Sequence, residues 1–359
     1  MKRILVTGAG GSPAANFTRS LRMAPEKFYL IGVDCNKYYL QRAETDEKYL
    51  VLSAKEDDYV AVLNKIIDKT KAEFLHVQND TELYYISKYR DKLNIKTFLP
   101  SHTTVEKCQN KLESYRCWKE AGLRQPLTFN INTPDDLKEA FKKINGEVWI
   151  REISGAGGRG SLKTDSFEVA KTWIDFRKGW GVFTAAECLK GQSTTWLSIW
   201  KDGELIIAQE RKRLYWELSK LAPSGISGAT GTGVTVADPL VNEIAQKAIL
   251  AIDKKPNGIF GVDLTYSGDA IPNPTEINIG RFFTTHHFFT VAGLNIAYIF
   301  VKLAYGEELP LIPKKINPLR PGLAWIRGID FLPVFTSVEE IDRHETELNK
   351  LREEIKQNG

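Results

Sequence analysis

Two clusters in the second half of the chain combine residue types and spacings that could do chemistry. The first is Ser154-Gly155-Ala156-Gly157-Gly158-Arg159-Gly160-Ser161, reached from the run Val148-Trp149-Ile150-Arg151. Gly155, Gly157, Gly158 and Gly160 offer backbone N–H donors, and Arg151 and Arg159 add cationic side chains, a set that could cover a polyphosphate. No Gly-Lys-Ser/Thr opens a helix there, so this is not a Walker motif. Read alone, the loop is either a phosphate cover or a flexible turn. The second cluster is Gly261-Val262-Asp263-Leu264, a Ser267-Gly268-Asp269 turn, and Thr275-Glu276-Ile277-Asn278. Asp263 and Glu276 fall on adjacent strands, and Glu276 and Asn278 share a face because strand side chains alternate. Three oxygen-bearing side chains converge, which suits magnesium: it takes hard oxygen ligands and keeps waters and substrate phosphates. The alternative is an ordinary hairpin with outward polar positions.

Positioning these clusters requires a scaffold, and the pattern of apolar runs supplies one. Over the first hundred residues, Ile4–Thr7, Tyr29–Asp34 and Phe74–Val77 read as strands, while Pro13–Arg22 and Tyr59–Lys69 read as helices. This βαβ alternation predicts a parallel sheet with helices on its faces. Gly8-Ala9-Gly10-Gly11 follows the first strand, but Pro13 occupies the third glycine position of a dinucleotide fingerprint. Asp34 ends the second strand where a ribose carboxylate would sit, so an NAD site, a structural turn and another ligand all stay open. After a polar break at Pro100–Thr104, a long helix is expected over Val105–Ala121 with Gly122 as its C-cap. A second domain then follows, with antiparallel strands at Phe183–Cys188, Thr194–Trp200 and Glu204–Glu210. Pro223–Val234 reads as a second Gly/Ser/Thr loop, Ile259–Tyr266 and Ala270–Asn278 as strands, and Val338–Gln357 as a charged helix, solvated or docking.

Composition narrows the classes. With 359 residues, the chain is long enough for two or three domains. Its 49 Lys plus Arg against 45 Asp plus Glu leave a net charge of +4, too small to make nucleic acid the main partner. The four cysteines lie far apart with no CxxC, and the histidines show no zinc spacing, which argues against a disulfide framework or structural metal. No apolar run approaches a membrane span and no signal segment is evident, so a cytoplasmic protein without membrane or nucleic-acid partners is expected.

Taken together, the order of these features resembles the ATP-grasp superfamily. The nearest likeness is to the branch holding the synthetase domains of the carbamoyl-phosphate synthase large chain and carboxylate–amine ligases. The likeness runs over about residues 1–310. Asp80-Thr81-Glu82-Leu83 is similar to the family's D-x-E-L segment, Cys108-Gln109-Asn110-Lys111-Leu112 to its C-x-D-K-L helix start, and Glu120–Pro126 to its E-x-G-(I/L)-x-x-P turn. The resemblance implies an α/β and α+β architecture, with a Rossmann-like front domain at 1–101, a first lobe at 102–185 bearing the glycine-rich lid, a second lobe at 186–312 bearing the metal hairpin, and an extension at 313–359.

It also implies roles. Lys111 matches the lysine that touches ATP phosphates, and Arg151 stands where relatives carry a second lysine. Gly155–Gly160, with Arg159, match the loop that closes over the β- and γ-phosphates. Glu187, Cys188 and Leu189 match the hinge that reads adenine, although Gly191-Gln192-Ser193 lacks the ribose-binding glutamate. Asp263, Glu276 and Asn278 match the Mg²⁺ ligands, with Mn²⁺ as the alternative ion. The family arginine lies two residues after the asparagine; here Gly280 occupies that place and Arg281 follows, able to reach the transferring phosphate if the strand bulges. Arg281 and Arg151 are therefore the catalytic candidates. For the acceptor, Arg211 and Arg213 share a strand face and either clamp a carboxylate or form a solvated edge. Ser224 and Ser227 in the 223–233 loop and His286 complete that set, with a helix-start structural role as the alternative for the histidine. The expected activity is ATP-dependent joining of a small carboxylate to an amine through an acyl phosphate, and a homodimer is compatible with it. A half-enzyme acting on bicarbonate or carbamate and a non-catalytic nucleotide-binding module are the alternatives.

Overall fold

The computed structural model describes residues 1–155, 158, 160–328 and 338–357. The front domain is a parallel sheet of β1 (Lys2–Val6), β2 (Phe28–Asp34), β3 (Glu47–Leu50), β4 (Phe74–His76) and β5 (Lys96–Thr97), in the order β3-β2-β1-β4-β5. Ile4, Leu5 and Val6 are all fully buried, because helices cover both faces of a parallel sheet. In the glycine turn after β1, a Cβ on Gly10 would lie 1.9 Å from the Tyr39 carbonyl oxygen, so the Lys37–Gln41 helix packs directly against the turn. Asp34 accepts from the Gly10 amide at 3.1 Å and the Asn36 amide at 2.9 Å.

The first lobe is an antiparallel sheet of β6 (Thr128–Ile131), β7 (Val148–Glu152), β8 (Leu162–Thr164) and β9 (Phe183–Glu187), in the order β6-β9-β7-β8. It packs Ile131, Val148, Ile150 and Phe183 against the helices Pro134–Ile144 and Phe167–Phe176. The second lobe is an antiparallel sheet of β10 (Ser193–Lys201), β11 (Glu204–Trp216), β12 (Thr230–Val236), β13 (Gly258–Tyr266), β14 (Pro272–Ile279) and β15 (Ala324–Ile326), in the order β14-β13-β10-β11-β12-β15. Among the described residues, no helix is long and apolar enough to cross a membrane.

Two expectations are corrected. The helix foreseen over 105–121 is two helices, His102–Gln109 and Lys111–Glu120. Asn110 leaves helical geometry between them, at φ −100° and ψ 106°, and its side chain accepts from the Leu112 and Glu113 amides. The second half of the 223–234 loop is strand, because β12 pairs with β11 on one side and β15 on the other. In the extension, β15 completes the second-lobe sheet and the Val338–Gln357 helix docks on the front domain. There Leu348 is buried, and Lys37 pairs with Asp342 at 2.9 Å and Glu345 at 2.7 Å.

Candidate active site

Where the two lobes meet, a cavity of about 280 Å³ is lined by Glu187, Cys188 and Leu189 along one edge. Tyr115, Trp149, Trp216 and Ile226 supply its broad apolar surfaces, a lining suited to a flat heteroaromatic ring. The three residues expected at the hinge thus line a single cavity. β9 ends at Glu187, whose amide donates to the Leu127 carbonyl at 2.8 Å and thereby fixes the hinge against the turn before β6. Burial raises the Cys188 thiol pKa, with Lys163 opposing, so the thiol is neutral in the cavity wall.

At one end of this cavity the charges gather. Lys111 opens its helix directly after the Asn110 cap, is 5% exposed, and donates from Nζ to the Gly155 carbonyl at 2.8 Å. The Glu276 carboxylate lies 3.6 Å from Lys111 Nζ and 3.9 Å from Arg151 Nη1. Burial lowers the Lys111 pKa, Glu276 opposing and Arg151 adding to the shift. Arg151 donates from Nη2 to Tyr115 Oη at 2.5 Å and to the Thr275 carbonyl at 2.9 Å, while its Nε is buried without a partner. Gly155 and Gly158 line this end, whereas Gly157 and Arg159 lie outside the described residues. The loop's far side meets the second lobe, where Ser161 Oγ and Ser224 Oγ are 2.7 Å apart. Gly160 is fixed from the first lobe, its carbonyl accepting from Trp173 Nε1 at 2.9 Å.

The hairpin register places Asp263 opposite Glu276 and Gly261 opposite Asn278, as the alternation predicts. Asp263 Oδ1 accepts from Thr195 Oγ1 at 2.5 Å, and its Oδ2 accepts from Asn278 Nδ2 at 2.9 Å. Two carboxylates and a carboxamide are hard donors that fit Mg²⁺. Among the described residues no group of three or more His, Cys, Asp and Glu converges on a metal position, so such an ion would need substrate oxygens to complete its shell. Arg281 reaches this cluster without a bulge at Gly280. Gly280 has φ +67°, and this left-handed residue turns the chain back as β14 ends. Arg281 Nη2 then donates to Asn278 Oδ1 at 2.9 Å, and its guanidinium forks onto Asp80 at 2.5 and 2.9 Å.

Beyond the charged end, a polar cleft of about 870 Å³ opens between the front domain and the second lobe. Asp80, Gln109, Ser227, Glu276, Asn278 and Arg281 are among its lining residues. Of the acceptor candidates, Ser227 faces this cleft, whereas Ser224 ties the lid loop to the second lobe. Arg211 and Arg213 are buried at 2% and 7% exposure, so they are not a solvated edge. His286 is corrected to its structural alternative. It is fully buried, stacks on Phe282 at 4.7 Å, and bonds through Nδ1 to the Phe283 carbonyl. Burial pushes its pKa down to about 3. Sequence reasoning missed Tyr115 and Asp80 as parts of the site. Tyr115 stands four residues after Lys111 on one helix, a spacing that puts both on one face and could have revealed it. Asp80 carries no local signal beyond its D-x-E-L segment, and nothing in the sequence joins it to Arg281.

No protein-family model matches the sequence, and no curated protein matches it. Solved structures do match. An L-amino acid ligase from Bacillus licheniformis superposes with a TM-score of 0.67 at 14% identity, over 89% of this chain and 78% of that one. A carboxyaminoimidazole ribonucleotide synthase from Aspergillus clavatus, complexed with ATP, gives 0.67 at 15% identity, over 89% and 80%. The biotin carboxylase domain of the Hydrogenobacter thermophilus 2-oxoglutarate carboxylase, in complex with MgADP and bicarbonate, gives 0.67 at 16% identity, over 90% and 73%. At these identities the likeness is one of fold.

Proposed function

We propose that this chain, whose fold is that of the ATP-grasp enzymes, is an ATP-dependent ligase that phosphorylates a small carboxylate and joins it to an amine, releasing ADP and phosphate. One observation carries the reading. An adenine-sized cavity shares Trp149 and Arg151 with a small pocket lined by Lys111 and Glu276, and Glu276 also lines the larger polar cleft. A triphosphate bound this way has its terminal phosphoryl group delivered to the mouth of a second substrate site.

The residues divide the work. Glu187, Cys188 and Leu189 receive the base, and Lys111 and Arg151 bind the phosphates. The Gly155–Gly160 segment covers them and excludes water. Asp263, Glu276 and Asn278 would hold Mg²⁺, which when bound supplies neutralisation of phosphate charge during transfer. Mn²⁺ suits the same donors. Arg281, steadied by Asp80, stabilises charge on the transferring group and on the acyl phosphate. The acid and amine meet in the cleft, where the amine displaces phosphate from the acyl carbon.

The test is a phosphate-release screen of carboxylates and amines in pairwise combination with ATP and Mg²⁺. One pair should give ADP and phosphate in equal amounts with a coupled product, and Glu276→Gln should lose that turnover by at least about 100-fold. Release driven by bicarbonate without an organic acid selects the half-enzyme. Tight ATP binding with no turnover across the screen selects the binding module. Wild-type turnover in Glu276→Gln rejects the metal assignment.

A further inference from the structure

A nucleotide whose base lies against Glu187–Leu189 and whose phosphates reach Lys111 and Arg151 must lay its sugar along the cavity wall between them. Five side chains of that lining carry oxygen: Tyr115, Glu187, Ser193, Thr265 and Thr275. Three of them are already engaged. Tyr115 Oη holds Arg151, Thr275 Oγ1 donates to the Asp263 carbonyl at 3.1 Å, and Glu187 Oε2 accepts from the Leu127 amide at 3.4 Å. The chain that leaves the hinge adds no further group. At Gly191 no side chain fits, since a Cβ would lie 2.3 Å from the Tyr266 carbonyl oxygen. Gln192 is turned away, its amide nitrogen donating to the Arg213 carbonyl at 2.5 Å and the Ser193 carbonyl at 3.2 Å.

Ser193 and Thr265 remain, and the sheet sets them side by side. They are direct cross-strand partners on β10 and β13, so both project from the same face. Thr195 and Asp263 form the next pair on that face, two residues and so about 7 Å further along the strands. The Ser193–Thr265 pair therefore stands between the hinge and the first of the metal-binding candidates, where the sugar has to lie. Both residues are part-exposed and line the cavity, so a ligand can reach them. Thr265 bonds through its carbonyl, and its hydroxyl has no partner among the described residues. Ser193 Oγ accepts from Arg213 Nη1 at 2.8 Å, which fixes the hydroxyl and leaves its proton to donate.

We propose that Thr265 and Ser193 bind the two ribose hydroxyls of the nucleotide, so that this chain recognises the sugar through neutral hydroxyls and not through a carboxylate. Each ribose hydroxyl both donates and accepts, which suits one partner that is free to do either and one that is set to donate. The assignment rests on the ligase reading for the presence of a nucleotide, and it specifies how tightly the sugar is read. A neutral hydrogen bond is worth about 2- to 10-fold in affinity, and one to a charged group about 10- to 150-fold. Removing one sugar hydroxyl should therefore cost little.

The test is calorimetric titration of the full-length wild type, Thr265→Val, Thr265→Ser, Ser193→Ala and Glu187→Gln with the magnesium complexes of ADP, 2′-deoxy-ADP and 3′-deoxy-ADP. Wild type should bind ADP about 2- to 10-fold more tightly than each deoxynucleotide. Thr265→Val keeps the shape of the side chain. It should weaken ADP by that factor and bind one of the two deoxynucleotides as well as wild type does, because the partner it has lost is already missing from that ligand. Thr265→Ser should restore the wild-type ratio. Ser193→Ala should lose discrimination at the other hydroxyl, and since the ratio is what is read, a uniform loss from freeing Arg213 cancels. The proposal is overturned if Thr265→Val weakens all three nucleotides equally or none of them, which makes the threonine structural or idle. It is equally overturned if wild type binds the three alike, if a missing hydroxyl costs wild type more than about 100-fold, the mark of a charged partner, or if discrimination collapses in Glu187→Gln and not in Thr265→Val. An unfolded Ser193→Ala makes Ser193 a support for Arg213 and overturns its share. If wild type binds none of the three nucleotides, the ligase reading itself fails.

Discussion

A single carboxylate organises the charged end of the pocket. Glu276 lies 3.6 Å from the Lys111 ammonium and 3.9 Å from the Arg151 guanidinium, beyond close hydrogen-bond range of either. Both cations therefore keep bonding capacity that a phosphate can claim, and the buried, unpartnered Nε of Arg151 is a further unmet donor. Burial already holds the Lys111 pKa below its ordinary value. Phosphate binding favours the charged ammonium, so ATP affinity should fall as pH rises through that depressed pKa, earlier than for an ordinary lysine. Lys111→Ala should weaken ATP binding by about 10- to 100-fold, the worth of one or two charge-assisted hydrogen bonds, and should flatten the alkaline fall. Calorimetric titration of ATP over a pH series reads both effects. An unchanged affinity in Lys111→Ala would remove the lysine from the phosphate site.

At the scale of elements, two backbone departures do what side-chain types alone could not. Asn110 breaks a helix and so sets Lys111 on the first turn of the next one, facing Gly155. Gly280 turns back out of β14 and brings Arg281 to Asn278 and Asp80. A Cβ on Gly280 would meet Leu83 at 2.7 Å as well as a φ of +67°. Gly280→Ala should therefore cost about 2 kcal/mol of stability. It should also lower turnover more than ATP affinity, since Arg281 is displaced while Lys111 is not. Urea melts and steady-state kinetics separate the two, and turnover equal to wild type would leave Arg281 without the role assigned to it. The hairpin was legible in the sequence because strand alternation and a tight turn fix register locally, and Asp263 does face Glu276. The Arg281–Asp80 fork spans 201 residues of chain and depends on how the front domain seats on the second lobe, which no local pattern encodes. The burial of His286 was hidden for the same reason, since Phe17 and His76 of the front domain pack into the aromatic cluster around Phe282.

Across the whole molecule, the front domain supports the site from one side. Its glycine turn is filled by Tyr39, and the helix Asp80–Lys88 that follows β4 reaches in two directions. Asp80 points out to Arg281, while Glu82 points in and is buried, accepting from Tyr59 Oη at 2.8 Å with its other oxygen unpartnered. Burial, with Asp34 adding to it, raises the Glu82 pKa from 4.5 to about 7, against the hydrogen bond from Tyr59 and the nearby Thr7 hydroxyl. Between those two values the unfolded chain has released the proton while the folded chain still holds it. Stability from this group is therefore present below the unfolded pKa and is lost as pH rises through the folded one. From about pH 5 to about pH 8 the loss should be about 2 kcal/mol. Glu82→Gln keeps an acceptor for Tyr59 and cannot ionise, so its stability should lack this decline and should exceed that of wild type most at the alkaline end. Urea unfolding of both proteins at the two pH values decides the matter, because every other titrating group is common to them and cancels in the difference. Equal declines would mean that Glu82 is ionised in the folded protein and that the base of the Asp80–Arg281 support holds a buried charge instead of a proton.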